Sequence, residues 1–505
     1  MSSPIDADFL ALPMRECAAA ALQAARDAGA SHADVRVERL RGQDLSLRNA
    51  RLERLNDAVV VGLAVRVVHD GTWGFASSPD VRVDEAVRLA HQAVEVARTS
   101  RPLNAEPVEL ADEPVHTDVT YVSAYEQDPF SVATTDKVAL LAEWSARLLA
   151  ADAVDHVDAS LEQVLENKFY ADSAGTRTTQ QRIRLQPRLT VTRVGPGGGF
   201  ETMRTTAPPA GRGWEYLTGD TWDWDSELAQ LPALLSEKAQ AASVEPGRYD
   251  LVIDPTNLWL TIHESIGHAT ELDRALGYEA AYAGTSFATL DQLGSLRYGS
   301  PVMHVTGDRT TPHGLSTIGY DDEGVQTQSW DIVRGGMLVG YQLDRRMARQ
   351  NAAALGTDRS NGCAFADSPA HVPVQRMANV SLQPAPEGPS TEELIGRVER
   401  GIYVVGDKSW SIDMQRYNFQ FTGQRFYEIR AGRLVGQLRD VAYQATTTDF
   451  WASLEAIGGP QTYQLGGALN CGKAQPGQVA AVSHGCPTSL FRGITVLNTA
   501  REGGR

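Results

Sequence analysis

Residues 249–268 read Tyr-Asp-Leu-Val-Ile-Asp-Pro-Thr-Asn-Leu-Trp-Leu-Thr-Ile-His-Glu-Ser-Ile-Gly-His, a strand running straight into a helix. Tyr249 to Ile253 is a short apolar-alternating run, Asp254 offers an N-cap oxygen, and Pro255 suits the first helical position, where an N–H would go unused. The helix then carries His263, Glu264 and His268. Two imidazoles and a carboxylate within six positions are what a zinc hydrolase needs to assemble its site.

The familiar zinc helix places its histidines four apart, about 40° around a helix of roughly 3.6 residues per turn. Here they stand five apart, and a regular helix would splay them by roughly 140°. The backbone is therefore expected to deviate between them, by a π-type turn or by opening at Gly267, where deviation costs least.

The surrounding segments, in order, are Glu271-Leu-Asp273, Gly284-Thr-Ser286, Asp321-Asp322-Glu323-Gly324, Ala370-His371-Val-Pro373, Arg376-Met-Ala-Asn379, Gly401-Ile-Tyr403 and Cys471-Gly-Lys473. With the His263 to Asp273 block they resemble the TldD/PmbA family of metallopeptidases, specifically its metal-binding TldD half. The resemblance covers about the whole chain, with nearly all the specific motifs in the second half. It implies one Zn2+ per chain and names Cys471 as the third ligand beside His263 and His268. Asn470-Cys471-Gly472 is a small-residue setting able to bring a thiolate close to a metal, although a lone cysteine is often only structural. His484 and Cys486 are the alternatives. Glu264, next to the first ligand, is expected to be the general base. Glu271 and Asp273 either orient a ligand histidine or form a salt bridge remote from catalysis. Asp322, Glu323 and His371 are candidates for substrate contact, and an extended peptide could add a strand near Asp321–Gly324. His304 and His313 are read as non-ligands. The family commonly has a glycine-rich run before an aspartate, where this chain has Asp407-Lys-Ser-Trp-Ser-Ile-Asp413; that departure leaves substrate preference open.

The resemblance further implies cleavage of short or unfolded peptides within a dimer, either a homodimer or a pair with a homologous, metal-less TldE/PmbA-type subunit. The alternative function is a non-catalytic, zinc-stabilised peptide-binding or regulatory subunit. A net charge of −17 argues against nucleic acid as a partner. No run is long and apolar enough to span a membrane, and Met1 to Arg15 lacks the regions of a signal peptide, so a cytoplasmic location is expected. Four cysteines are too few and too scattered for a disulfide framework.

A chain of 505 residues predicts two domains, and Glu245-Pro-Gly247 marks the best boundary, giving an N-terminal domain of residues 1–247 and a C-terminal one of 248–505. The first reads as helix (15–28), antiparallel strands (33–38, 44–48, 59–68, 72–75), helix (84–100), helix (to 150, capped by Thr135), strands again (157–165, 178–185, 189–194, 201–205) and a closing helix (226–242). The glycine cluster Gly195-Pro-Gly-Gly-Gly199 reads as a hairpin turn, since it lacks the Gly-Lys-Ser/Thr of a phosphate loop. The second domain reads as the metal helix followed by a strand-rich region, with helices at 344–354 and 390–400. The fold class is therefore α+β, with antiparallel sheets, flanking helices and a curved or barrel-like C-terminal sheet carrying the metal helix.

Overall fold

The computed structural model describes residues 4–195 and 197–502. Strand alternation in the first half condenses into one long-stranded sheet, in the order Thr72–Ser78, Arg51–His69, His32–Arg48, His156–Asp172, Arg177–Val194 and Val119–Val122, with Phe200–Arg204 also paired to 177–194. The separate short strands expected from the sequence merge because register runs unbroken through polar stretches; His156–Asp172 and Arg177–Val194, for example, pair from His156↔Thr192 to Ala171↔Arg177. Pro187 sits inside such a strand opposite Leu161.

Helices cover this sheet in two places. Met14–Asp27 and Val83–Ser100 bury Cys17, Ala21, Leu89 and Val94 against Val35, Val65 and Phe169. Thr134–Leu149 and Trp224–Gln240 bury Trp144, Leu148, Leu228 and Leu235 against Leu161, Leu185 and Val191. The former begins one residue before the expected cap: Ala133 is the N-cap, and Thr135 lies inside the first turn.

The second half closes a five-stranded barrel. Its strands Arg400–Ile412, Gly247–Ile253, Ser489–Asn498, Val441–Thr446 and Asn418–Arg430 pair in that order, and Asn418–Arg430 returns to pair with Arg400–Ile412. Closure removes the free edges that an open sheet of this size would expose. Pairing is antiparallel except at Gly247–Ile253 with 400–412, Val119–Val122 with 177–194, and Ala242–Ser243 with Arg433–Arg439. Aromatic rings fill the interior, with Phe450 stacked on Phe491 at 4.2 Å and Phe421 on Tyr443 at 5.8 Å. Beside the barrel lie a four-stranded sheet and the hairpin Gln464–Lys473/Gln478–Cys486. Among the described residues no helix is long and apolar enough to cross a membrane.

Candidate metal centre

The metal helix starts as its sequence requires. The Asp254 carboxylate accepts from Thr256 N–H at 3.0 Å and from the Tyr403 hydroxyl at 2.6 Å, tying the N-cap to the neighbouring barrel strand. Tyr443 donates to Asn257 Oδ1 and meets Thr261 Oγ1, each at 2.8 Å, so the helix is also anchored inside the barrel. Pro255–Ile262 is α-helical, His263–Gly267 forms a π-turn, and His268–Thr270 tightens to a 3₁₀ turn. The wide turn supplies the rotation that five-residue spacing demands: the two imidazole centroids are 4.6 Å apart. Gly267 is needed here for closeness, not for unusual torsions. Its φ of −52° and ψ of −60° suit any residue, but a Cβ would lie 2.5 Å from Met377 Sδ.

Cys471 arrives on the hairpin strand Gln464–Lys473, just past a register break after Ala468. Such an irregularity re-aims a side chain, and this one brings Sγ to 3.6 Å from His268 Nε2. One donor atom from each of His263, His268 and Cys471 lies within 4.8 Å of the others, and all three residues are buried.

The proton positions follow from the partners. His484 Nδ1 lies 2.7 Å from the Val380 carbonyl, which can only accept, so Nδ1 carries the proton and Nε2 is an acceptor. That acceptor sits 2.8 Å from His263 Nδ1, which must then donate, leaving His263 Nε2 as a free lone pair. His268 Nδ1 likewise donates to Glu271 at 2.9 Å and leaves its Nε2 free. Burial lowers the pKa of all three imidazoles, in His484 reinforced by neighbouring His263, and keeps the rings neutral as ligands require. Burial alone would raise the Cys471 thiol, but His268, when its Nε2 carries the thiol's proton, and then the Arg376 guanidinium hold it below its ordinary value. Two imidazole nitrogens and a thiolate, each with its lone pair turned inward, fit zinc.

Glu271 therefore touches a candidate ligand directly. Its burial is outweighed by Lys473 and Arg274, at 3.1 and 3.2 Å, which hold its carboxyl well below the usual range. Asp273 reaches the site only through Lys473, at 2.8 Å. His484, one of the alternative ligands, instead orients His263, and Cys486 lies apart with Sγ 3.7 Å from the Pro255 carbonyl. Glu264 is buried and accepts from Arg416 Nη1 at 2.7 Å. Sequence reading missed Arg416, which lies in an irregular turn 152 positions downstream with nothing in its neighbourhood to mark it.

Three candidates for substrate contact lie away from the metal centre. Asp322 accepts from Lys168 and from Ala366 N–H, each at 2.7 Å, and Glu323 accepts from Arg66 at 3.1 Å, so both are spent on joining the two halves of the chain. His371 sits 2.6 Å from Asp367 while its carbonyl accepts from Arg36. None of the three lines the cavity at the metal centre. Asp321–Gly324 is a buried turn whose Asp321 carboxylate accepts from the backbone of Glu323, Val325 and Ala364, so it presents no open edge for a peptide strand. His304 and His313 pair with Asp331 and the Gly211 carbonyl, away from the donor cluster.

His263, Glu264, His268 and Cys471 open on a cavity of about 500 Å³, bounded by Gln186, Arg188 and Arg204 from the first half and by Trp259, Asp407 and Gln464 from the second.

A strand-to-helix element with a π-turn brings two neutral imidazoles and a thiol together at a cavity, a candidate metal site. Residues 246–498 match the PmbA/TldA metallopeptidase C-terminal domain and residues 33–97 the PmbA/TldA metallopeptidase domain 1, and the chain belongs to the TldD/PmbA family. A metalloprotease from Synechocystis sp. is 28% identical over 467 residues, covering 92% of this chain and 94% of that protein. A zinc metalloprotease TldD homolog from Saccharolobus solfataricus is 21% identical, over 86% of this chain and 90% of the relative. The crystal structure of TldE from Thermococcus kodakarensis shares the fold, with a TM-score of 0.68 at 15% identity over 94% of this chain and 98% of that one.

Proposed function

We propose that the protein is a zinc-dependent peptidase of short or unfolded peptides, with His263, His268 and Cys471 as ligands and Glu264 as the general base. The observation that carries this reading is the convergence of three donor atoms within 4.8 Å beside a buried carboxylate, on the wall of a cavity. When bound there, zinc supplies Lewis-acid polarisation and lowers the pKa of water to about 7. Glu264 takes the proton of the attacking water and returns it to the leaving amine. Arg416 holds one oxygen of that carboxylate, leaving the other to work. His484 and Glu271 fix the ligand tautomers.

We assign the chemistry to residues 248–505, and to residues 1–247 a wall of the cavity and the contacts of a dimer, either two copies or a pair with a homologous TldE/PmbA-type subunit. The zinc-named relative supports the choice of metal, and the fold shared with TldE supports the choice of a homologous partner; the proposed location is cytoplasmic. The Glu264→Ala variant decides between enzyme and zinc-stabilised binding subunit. It is expected to retain one zinc per chain by elemental analysis and to lose about 10²- to 10⁴-fold in cleavage of an unfolded peptide. Undiminished turnover in that variant overturns the mechanism.

A further inference from the structure

The sheet of the first half sends one face to its helices and the other to the cavity. Along Arg177–Val194, Leu185, Leu189 and Val191 are buried in the helix-covered core, while Gln186 and Arg188, offset by one, line the cavity. Arg204 stands opposite Thr190 on the paired strand, hence one position along from Arg188 on the same face. The two arginines are treated differently. Arg204 is paired with Asp407 at 2.8 Å, and the other Asp407 oxygen accepts from Trp259 Nε1 at 3.3 Å, so each oxygen of that carboxylate already has a partner. Among the described residues Arg188 makes neither hydrogen bond nor ion pair. Lys408, exposed at the same cavity, is likewise unpaired among them.

A half-buried guanidinium without a hydrogen-bonded partner is costly, and here burial and the nearby Arg204 lower its pKa against the weaker pull of Asp407 and Glu162. Within a chain of net charge −17, the cavity lining gathers three cations, Arg188, Arg204 and Lys408, which balance Glu264, Asp407 and the Cys471 thiolate before any zinc is counted. Its two acidic lining residues, Glu264 and Asp407, are each already paired with an arginine. Among the described residues neither Arg188 nor Lys408 has a carboxylate within hydrogen-bonding distance, Asp407 and Glu162 acting on Arg188 only from further off, and a planar five-donor fork best matches a carboxylate.

We infer that Arg188, backed by Lys408, forms a carboxylate-binding subsite that makes the cavity select peptides bearing an acidic side chain or a free C-terminus. This rests on the peptidase reading and adds to it a substrate class and a specificity-determining residue.

The test uses the full-length, zinc-loaded chain carrying Glu264→Ala, so that binding is measured without turnover, and three peptides of one sequence: uncharged and C-terminally amidated, the same with a free C-terminus, and the amidated form with one Gln replaced by Glu. By calorimetry at least one carboxylate peptide should bind about tenfold tighter than the neutral one. That ratio should fall toward one in Arg188→Gln and survive in part in Arg188→Lys. The arm that carries the preference identifies its source. No preference in the parent protein, or an equal preference after Arg188→Gln, overturns the subsite, as does a change in oligomeric state by light scattering on that substitution, which would make Arg188 a subunit contact. Cleavage of the neutral peptide by the protein with Glu264 intact reports on the peptidase reading separately.

Discussion

Around Lys168 and around His263 the chain buries ionisable groups to a similar depth, yet it arranges them in opposite ways. Lys168 donates to Asp322 and to the Ala366 carbonyl at 2.7 Å and lies 4.0 Å over the Phe365 ring, while Arg66 joins Asp34 at 2.8 Å and Glu323 at 3.1 Å. Cations of the first sheet thus meet anions of the second half, and the charges cancel across the junction. At the metal centre the partners are set behind the rings, on His484 and Glu271, and the lone pairs are left facing one another. Burial of charge is common to both regions; unfilled valence turned toward a common point is found in one. That is why Asp322 and Glu323, quoted beside the metal motif as candidates, belong to the joint between the two halves of the chain.

The comparison breaks most sharply at the ligands. His268→Ala or Cys471→Ala is expected to reduce bound zinc from one per chain to a small fraction after dialysis, read by elemental analysis, and peptide cleavage should fall with it. Full occupancy in Cys471→Ala would remove that residue from the ligand set. The junction should respond in stability instead. Lys168→Met leaves Asp322 buried without its cation and is expected to cost about 3–5 kcal/mol in denaturant unfolding, with metal content unchanged. A loss below about 1 kcal/mol would show that Arg36, 3.6 Å from Asp322, takes over the pairing.

The smallest effect is one of pH. Burial pushes Glu38 up to about 7, against the pull of Lys168 and Arg36. A carboxyl whose folded pKa is raised contributes stability that is fully present below about pH 4.5 and is lost as pH rises through about 7. The buried histidines, with lowered pKa values, act with the opposite sign below about 6.5, so the raw curve mixes the two. The difference between the thermal unfolding of the parent chain and of Glu38→Gln isolates the carboxyl. The parent should lose up to about 3 kcal/mol relative to the variant between pH 4.5 and 8; a flat difference would mean that Glu38 is ionised throughout.

Local chemistry wrote much of this protein legibly. The alternation of Tyr249–Ile253, the Asp254-Pro255 start and the five-residue histidine spacing were enough to demand a strand, a capped helix and a departure from α geometry, because caps and periodicity act within a few residues. Other features needed the folded chain: the bond from Arg416 to Glu264, the tautomers set by His484, the removal of Asp322 and Glu323 to the junction, and the re-aiming of Cys471 toward His268. Each depends on which distant strands lie side by side, and pairing between segments one to two hundred residues apart is settled by closure of the barrel and burial of its core.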